Sequence, residues 1–134
     1  MNTLTLDDNP MILQSMRKLL SRIDPDGVHL ATGSASGVME SIRRTPPDVA
    51  FLDIELPGGS GLDVASRLRA LRPETNVIFI TGHSEYAIQA FELYASGYLL
   101  KPITEKHGER LCRGGVSPNR ANEIWALQIG GTGV

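Results

Sequence analysis

Only one cysteine, Cys112, stands in the whole chain. That excludes an internal disulfide and fits a reducing compartment such as the cytoplasm. Net charge is scarce as well: 13 Lys and Arg face 15 Asp and Glu, leaving −2 with neutral histidines. So balanced a chain has no electrostatic footprint for direct nucleic-acid binding or for an anionic membrane surface. Long apolar runs are missing, and no stretch present could span a bilayer. The N-terminus lacks a basic region followed by an apolar run, so no signal peptide is expected. The histidines, His29, His83 and His107, do not share the spacing of metal ligands, and each reads as an ordinary histidine. What remains is 134 residues, 41% hydrophobic, which suits one globular domain whose core needs no staple.

Along the chain, short apolar runs alternate with amphipathic stretches. Residues 4–6 form a strand candidate that ends on two acids. Asn9-Pro10 reads as a helix cap and first helical position. Ile12, Met16, Leu19, Leu20 and Ile23 then recur at helical spacing. Asp24-Pro25-Asp26-Gly27 is a turn, and residues 28–31 a second strand. Ser34 or Ser36 is placed to cap a helix carrying Val38, Met39 and Ile42, which Pro46-Pro47 stops. Residues 48–52 form a third strand, followed by the loop Pro57-Gly58-Gly59-Ser60-Gly61. Ser60 caps a helix with Leu62, Ala65, Leu68 and Leu71 on one stripe. Residues 76–80 form a fourth strand. Ser84 caps a helix bearing Ala87, Ala90, Phe91 and Tyr94, whose side chains read as core. Tyr98-Leu99-Leu100 is a fifth strand, ahead of Lys101-Pro102.

Strands alternating with helices imply a parallel sheet covered on both faces. Right-handed crossovers bring every strand's C-terminal end to one edge, where such folds bind ligands. The residues there are Asp7 and Asp8, Asp53, Thr81 and Lys101. Taken singly, each has an ordinary reading: Asp7 or Asp8 as a cap, Asp53 as a turn residue, Thr81 as a strand end, Lys101 as a solvated lysine. Taken together, three anions cannot all stay ionised cheaply, and a hard divalent cation resolves the conflict. A carboxylate beside Mg²⁺ is a plausible nucleophile for phosphoryl transfer. Mg²⁺, Lys101 and the Thr81 hydroxyl could then share the charge on the three equatorial oxygens.

This set resembles the receiver domains of two-component response regulators, from residue 3 to about 104. The paired acid is Asp7-Asp8. The acceptor segment is Phe51-Leu52-Asp53-Ile54-Glu55-Leu56-Pro57-Gly58. Phe79-Ile80-Thr81-Gly82 and Lys101-Pro102 complete the pattern. The resemblance implies a flavodoxin-like doubly wound sheet of five parallel strands, order 2-1-3-4-5. It implies that Asp53 is phosphorylated by a sensor histidine kinase in a Mg²⁺-dependent reaction. Asp8, Asp53 and the main-chain carbonyl of Glu55 would hold the metal, with Asp7 acting indirectly. Thr81 and Tyr98 would form a switch, an ordinary β-favouring aromatic being the other reading of Tyr98. Pro102 would follow a cis bond. The domain would be a cytoplasmic signalling switch rather than an enzyme, with a homodimer left open. It would reach DNA only through an effector domain these residues do not contain, and would not engage a membrane. The segment Thr81-Gly82-His83-Ser84-Glu85-Tyr86-Ala87, continuing to Ala90-Phe91, is similar to receivers of LytTR-type (LytR/AlgR) regulators.

Three other classes share parts of the pattern. A flavin carrier has this topology but needs a Ser/Thr/Gly-rich phosphate loop, where this chain has Leu6-Asp7-Asp8-Asn9. A hydrolase with an aspartyl-phosphate intermediate needs a lid and a second acid with no obvious home here. An interaction domain that keeps the fold without turning over phosphate is favoured only by the C-terminal departure from the family. There, His107-Gly108 and Gly114-Gly115 interrupt the expected fifth helix. Residues 117–128 read instead as a new helix, with Ser117 as cap, Pro118 first, and Ala121, Ile124, Trp125 and Gln128 on one side. The division expected is a receiver core over 1–104 and an atypical fifth-helix region and tail over 105–134.

Overall fold

The computed structural model describes residues 1–101. The expectations for the Pro102 bond, for residues 105–134 and for a helix at 117–128 lie outside the described residues. The elements are β1 (Asn2–Leu6), α1 (Pro10–Ile23), β2 (Val28–Thr32), α2 (Val38–Arg44), β3 (Val49–Leu52), β4 (Glu55–Leu56), β5 (Gly59–Ser60), α3 (Gly61–Leu71), β6 (Asn76–Thr81), α4 (Ala87–Glu92) and β7 (Gly97–Leu100). The main sheet runs β2-β1-β3-β6-β7, parallel at every pairing. With β6 and β7 as its fourth and fifth strands, this is the expected order.

Side-chain alternation along the strands divides the core into two layers. Leu4, Leu6, Ala50, Leu52, Val77, Phe79 and Tyr98 face one side, with Val38 and Ile42 of α2, Val64, Ala65 and Leu68 of α3, and Ala90 of α4. Val49, Phe51, Ile78, Ile80 and Leu99 face the other, with Met16 and Leu20 of α1. β3 is buried along its whole length. Each such Leu, Ile or Phe contributes roughly 1.5–3 kcal/mol over an exposed position. α1 starts as its sequence requires: the Asn9 side chain accepts the Met11 N–H (2.9 Å), and Pro10 takes the first helical position.

Four local expectations are corrected. Ser34 and Ser36 do not cap α2. Gly37 occupies the cap without a side-chain bond, and the two hydroxyls bond each other at 2.7 Å, which holds them in the preceding loop. Ser84 likewise caps nothing, since Tyr86 precedes α4. The α3 stripe is Gly61, Val64, Ala65 and Leu68, while Leu71 is 48% exposed. In α4, Phe91 and Tyr94 are not core but 75% and 73% exposed. Ala90 is buried, with Tyr86 and Leu93 packed beside it. Residues 86, 90 and 93 share a helix face as well as 87, 90, 91 and 94 do, so periodicity allowed either stripe. The loop after β3 also holds an unforeseen antiparallel hairpin, β4 with β5. It turns through Pro57 and a Gly58 at φ +72°, a conformation that glycine adopts without steric strain.

Candidate functional site

The sheet ladder fixes the strand-end residues one by one. The N–H of Asp7 bonds the Thr32 carbonyl at 3.1 Å, and that of Asp53 the Leu6 carbonyl at 2.8 Å. The N–H of Lys101 bonds the Thr81 carbonyl at 2.7 Å. Each residue thus sits where its strand leaves the sheet, and the side chains gather at one edge. Lys101 Nζ lies 3.0 Å from Asp53 Oδ2 and 2.8 Å from Asp7 Oδ2. Only the contact with Asp53 has hydrogen-bond direction. Asp7 Oδ2 is buried and accepts no directed bond, although Asp7 Oδ1 accepts the Asn9 N–H at 2.8 Å. Asp7 and Asp53 are buried, and Asp8 is exposed on the rim.

Burial pushes the Asp53 carboxyl above the usual carboxylate range; Lys101 opposes this and Asp7 adds to it. Burial would lower the Lys101 ammonium, but Asp7 and Asp53 outweigh it and hold the group above its ordinary value. Lys101 is therefore a fixed positive charge. Oxygens of Asp7, Asp8 and Asp53 lie within 4.8 Å of one another. Three carboxylates against one ammonium leave a formal excess of two negative charges. This excess of acidic oxygen donors fits a hard divalent cation such as Mg²⁺.

Thr81 is fully buried at the end of β6, and its hydroxyl accepts the His83 N–H at 3.3 Å. The Tyr98 ring is buried and tilts against Phe79. Its hydroxyl donates to the main-chain carbonyl of His83. Burial raises the Tyr98 hydroxyl above its ordinary range. Asp7, Asp8, Asp53 and Lys101 thus form one group, with Thr81 on the neighbouring strand and Tyr98 tied to the loop that follows it.

Sequence reasoning missed two features. The Glu55 side chain turns away from the acids, taking the Tyr86 hydroxyl at 2.7 Å and meeting His83 Nε2 at 2.9 Å. Gly61 lies against Asp53 itself: a Cβ there would stand 2.0 Å from the Asp53 carbonyl oxygen. Gly61 was legible as a loop glycine, but its close approach is a tertiary fact.

A family model described as "Response regulator receiver domain" matches residues 3–111. The chain is 37% identical over 123 residues to the "Positive alginate biosynthesis regulatory protein" of Pseudomonas aeruginosa, covering 90% of this chain and 49% of that protein. It is 38% identical over 109 residues to the "Transcriptional regulatory protein BtsR" of Salmonella typhi, covering 80% and 44%. The chain thus spans about half the length of the curated relatives it matches. A crystal structure of a response regulator receiver domain protein from Clostridium thermocellum superposes with a TM-score of 0.74 at 28% identity, covering 94% of this chain and 97% of that one.

Proposed function

This chain belongs to the response regulator receiver family, and from that premise we propose that Asp53 is its phosphoacceptor. The observation that carries the reading is the convergence of Lys101 on Asp7 and Asp53 at the buried end of the sheet, 2.8 and 3.0 Å away. In the proposed step an Asp53 carboxylate oxygen attacks phosphorus in a phosphohistidine of a sensor histidine kinase. The O–P bond forms, the N–P bond breaks, and the electron pair stays on the imidazole nitrogen. Burial keeps water away from Asp53, and Lys101 holds compensating charge beside it. The Thr81 hydroxyl keeps a proton to donate to a phosphoryl oxygen.

Asp8, Asp53 and the main-chain carbonyl of Glu55 would hold Mg²⁺, with Asp7 acting through Lys101 and water. When bound, the ion supplies charge neutralisation and a template for the phosphoryl oxygens. A Thr81 hydroxyl drawn toward phosphate would leave the His83 N–H. The strain would reach Tyr98, whose hydroxyl is tied to the same residue, and so change the outer surface. We read the core as residues 1–104, with 105–134 as a distinct tail. The domain is a cytoplasmic switch that catalyses only its own phosphorylation and dephosphorylation. It would act on transcription through an effector, dimerising or not, without touching DNA or membrane itself. Among the described residues no helix is long and apolar enough to cross a membrane.

The test is metal dependence. Incubation with acetyl phosphate and Mg²⁺ should add one phosphoryl group. Asp8→Ala should reduce both metal binding and labelling. Full labelling in excess chelator would overturn the proposed metal role.

A further inference from the structure

Glu55 opens the short strand β4 just past Asp53. A fourth carboxylate so near Asp7, Asp8 and Asp53 is a hazard to the site. Three carboxylates less one ammonium already leave two negative charges there. A divalent ion would bring that sum to zero, and the Glu55 carboxylate would make it negative again. A phosphoryl donor is itself an anion, and like charges repel more strongly where water is sparse.

Two residues after β6 hold Glu55 away. Its Oε1 accepts the Tyr86 hydroxyl at 2.7 Å, and its Oε2 meets His83 Nε2 at 2.9 Å. The Glu55 side chain is 51% exposed, so polar contacts rather than packing choose its rotamer. Tyr86 is the better anchored of the two partners. Its ring packs against the core and meets the His83 ring edge-on, at 6.0 Å and 78°. Glu55 in turn raises the Tyr86 hydroxyl above its ordinary range, so the group keeps the proton that it donates.

We propose that Tyr86 is a positioning residue for the phosphoryl-transfer site: it holds the Glu55 carboxylate away from the aspartate trio and so keeps the Mg²⁺-loaded site open to an anionic donor. The inference rests on the acceptor role of Asp53 for the reaction concerned, but control of the charge at the site is a separate matter.

The test is a mutant cycle of Tyr86→Phe and Glu55→Gln in the full chain. It is read by calorimetric titration with Mg²⁺ and by initial labelling rates over a range of acetyl phosphate concentrations. Tyr86→Phe keeps the packed ring and removes only the hydroxyl. The released Glu55 carboxylate should turn toward the ion, and Mg²⁺ should bind about threefold more tightly. The KM for acetyl phosphate should rise by about threefold, with the maximal rate little changed. Added salt should shrink the KM effect, because it is one of charge. In a Glu55→Gln background, Tyr86→Phe should alter neither quantity. Unaltered Mg²⁺ affinity or an unaltered KM in Tyr86→Phe would overturn the proposal. So would an effect that persists in Glu55→Gln, because Tyr86 would then act through the fold. Labelling that survives Asp53→Asn would refute the acceptor assignment alone, and the Mg²⁺ titrations, which need no phosphorylation, would still decide the role of Tyr86.

Discussion

Gly61→Ala probes how closely the third helix is built onto Asp53. An ideal Cβ at this position would lie 2.0 Å from the Asp53 carbonyl oxygen, 2.8 Å from its carbon and 3.2 Å from Ile54 Cα. Carbon–oxygen contacts in proteins settle at about 3.3 Å or more. Something must therefore open by about 1.3 Å. Both obstructing groups are backbone, so no side chain can rotate away. Overpacking of this kind costs about 1–3 kcal/mol, and the upper end applies here. The Gly61 N–H bond to the Ile54 carbonyl, 2.8 Å long, would be stretched, adding about 1 kcal/mol. A loss of about 3–4 kcal/mol should lower the melting midpoint by on the order of 10 °C. Because the obstruction bears on Asp53 itself, labelling by acetyl phosphate should slow by about tenfold to a hundredfold. Gly58→Ala is the control. Nothing lies within 4 Å of its Cβ, but φ is +72°, so it should lose about 1–2 kcal/mol and keep its labelling rate. Denaturant titration and a labelling time course read both quantities. A Gly61→Ala protein with wild-type midpoint and rate would refute the close-approach reasoning.

Three further outcomes are expected. Because the Asp53 carboxyl is raised by burial, the fold binds its proton more tightly than the unfolded chain does. The stability it contributes is complete below the ordinary carboxylate range and is lost as pH rises through the folded value. Without metal, the stability of Asp53→Asn relative to wild type should therefore increase over that window; a difference independent of pH would contradict this. Tyr98→Phe removes the hydroxyl that donates to His83 and should destabilise the fold by about 1 kcal/mol, read as a shifted denaturant midpoint with an unchanged slope. For the tail, burial of Ile124 and Trp125 would contribute several kcal/mol at about 25 cal/mol per Å². Truncation after Gly115 should then lower the melting temperature, and the sole tryptophan should emit in the blue. An unchanged melting temperature with solvent-like emission would show that the tail adds nothing.

The fold was legible where sequence leaves one physical choice. Asn9-Pro10 could start α1 in one way only, and Val49, Ala50, Phe51 and Leu52 are apolar on both faces, as a central parallel strand requires. The candidate site was legible for the same reason. Asp7, Asp53, Thr81 and Lys101 each stand where an apolar run ends, and topology alone brings those ends together. What stayed hidden depends on choices between near-equal alternatives. In α4, the stripe through Tyr86 and Ala90 and the stripe through Ala90, Phe91 and Tyr94 have the same periodicity. The left-handed Tyr94 at φ 58°, its ring under the Arg69 guanidinium at 4.6 Å, marks the end of a helix too short to bury both. Lys101 pairing with Asp7 as well as Asp53, and Glu55 turning toward His83 and Tyr86, are side-chain contacts between distant segments that no local pattern encodes.

Mapping the modified residue tests the central claim most directly. The protein is labelled with acetyl phosphate and Mg²⁺, the acyl phosphate is trapped by borohydride reduction, and the peptides are sequenced by tandem mass spectrometry. Reduction should appear at Asp53 alone, and Asp53→Asn should take up no label. Label on Asp7, Asp8 or any other residue of the wild-type chain, or an undiminished amount in Asp53→Asn, would contradict the assignment.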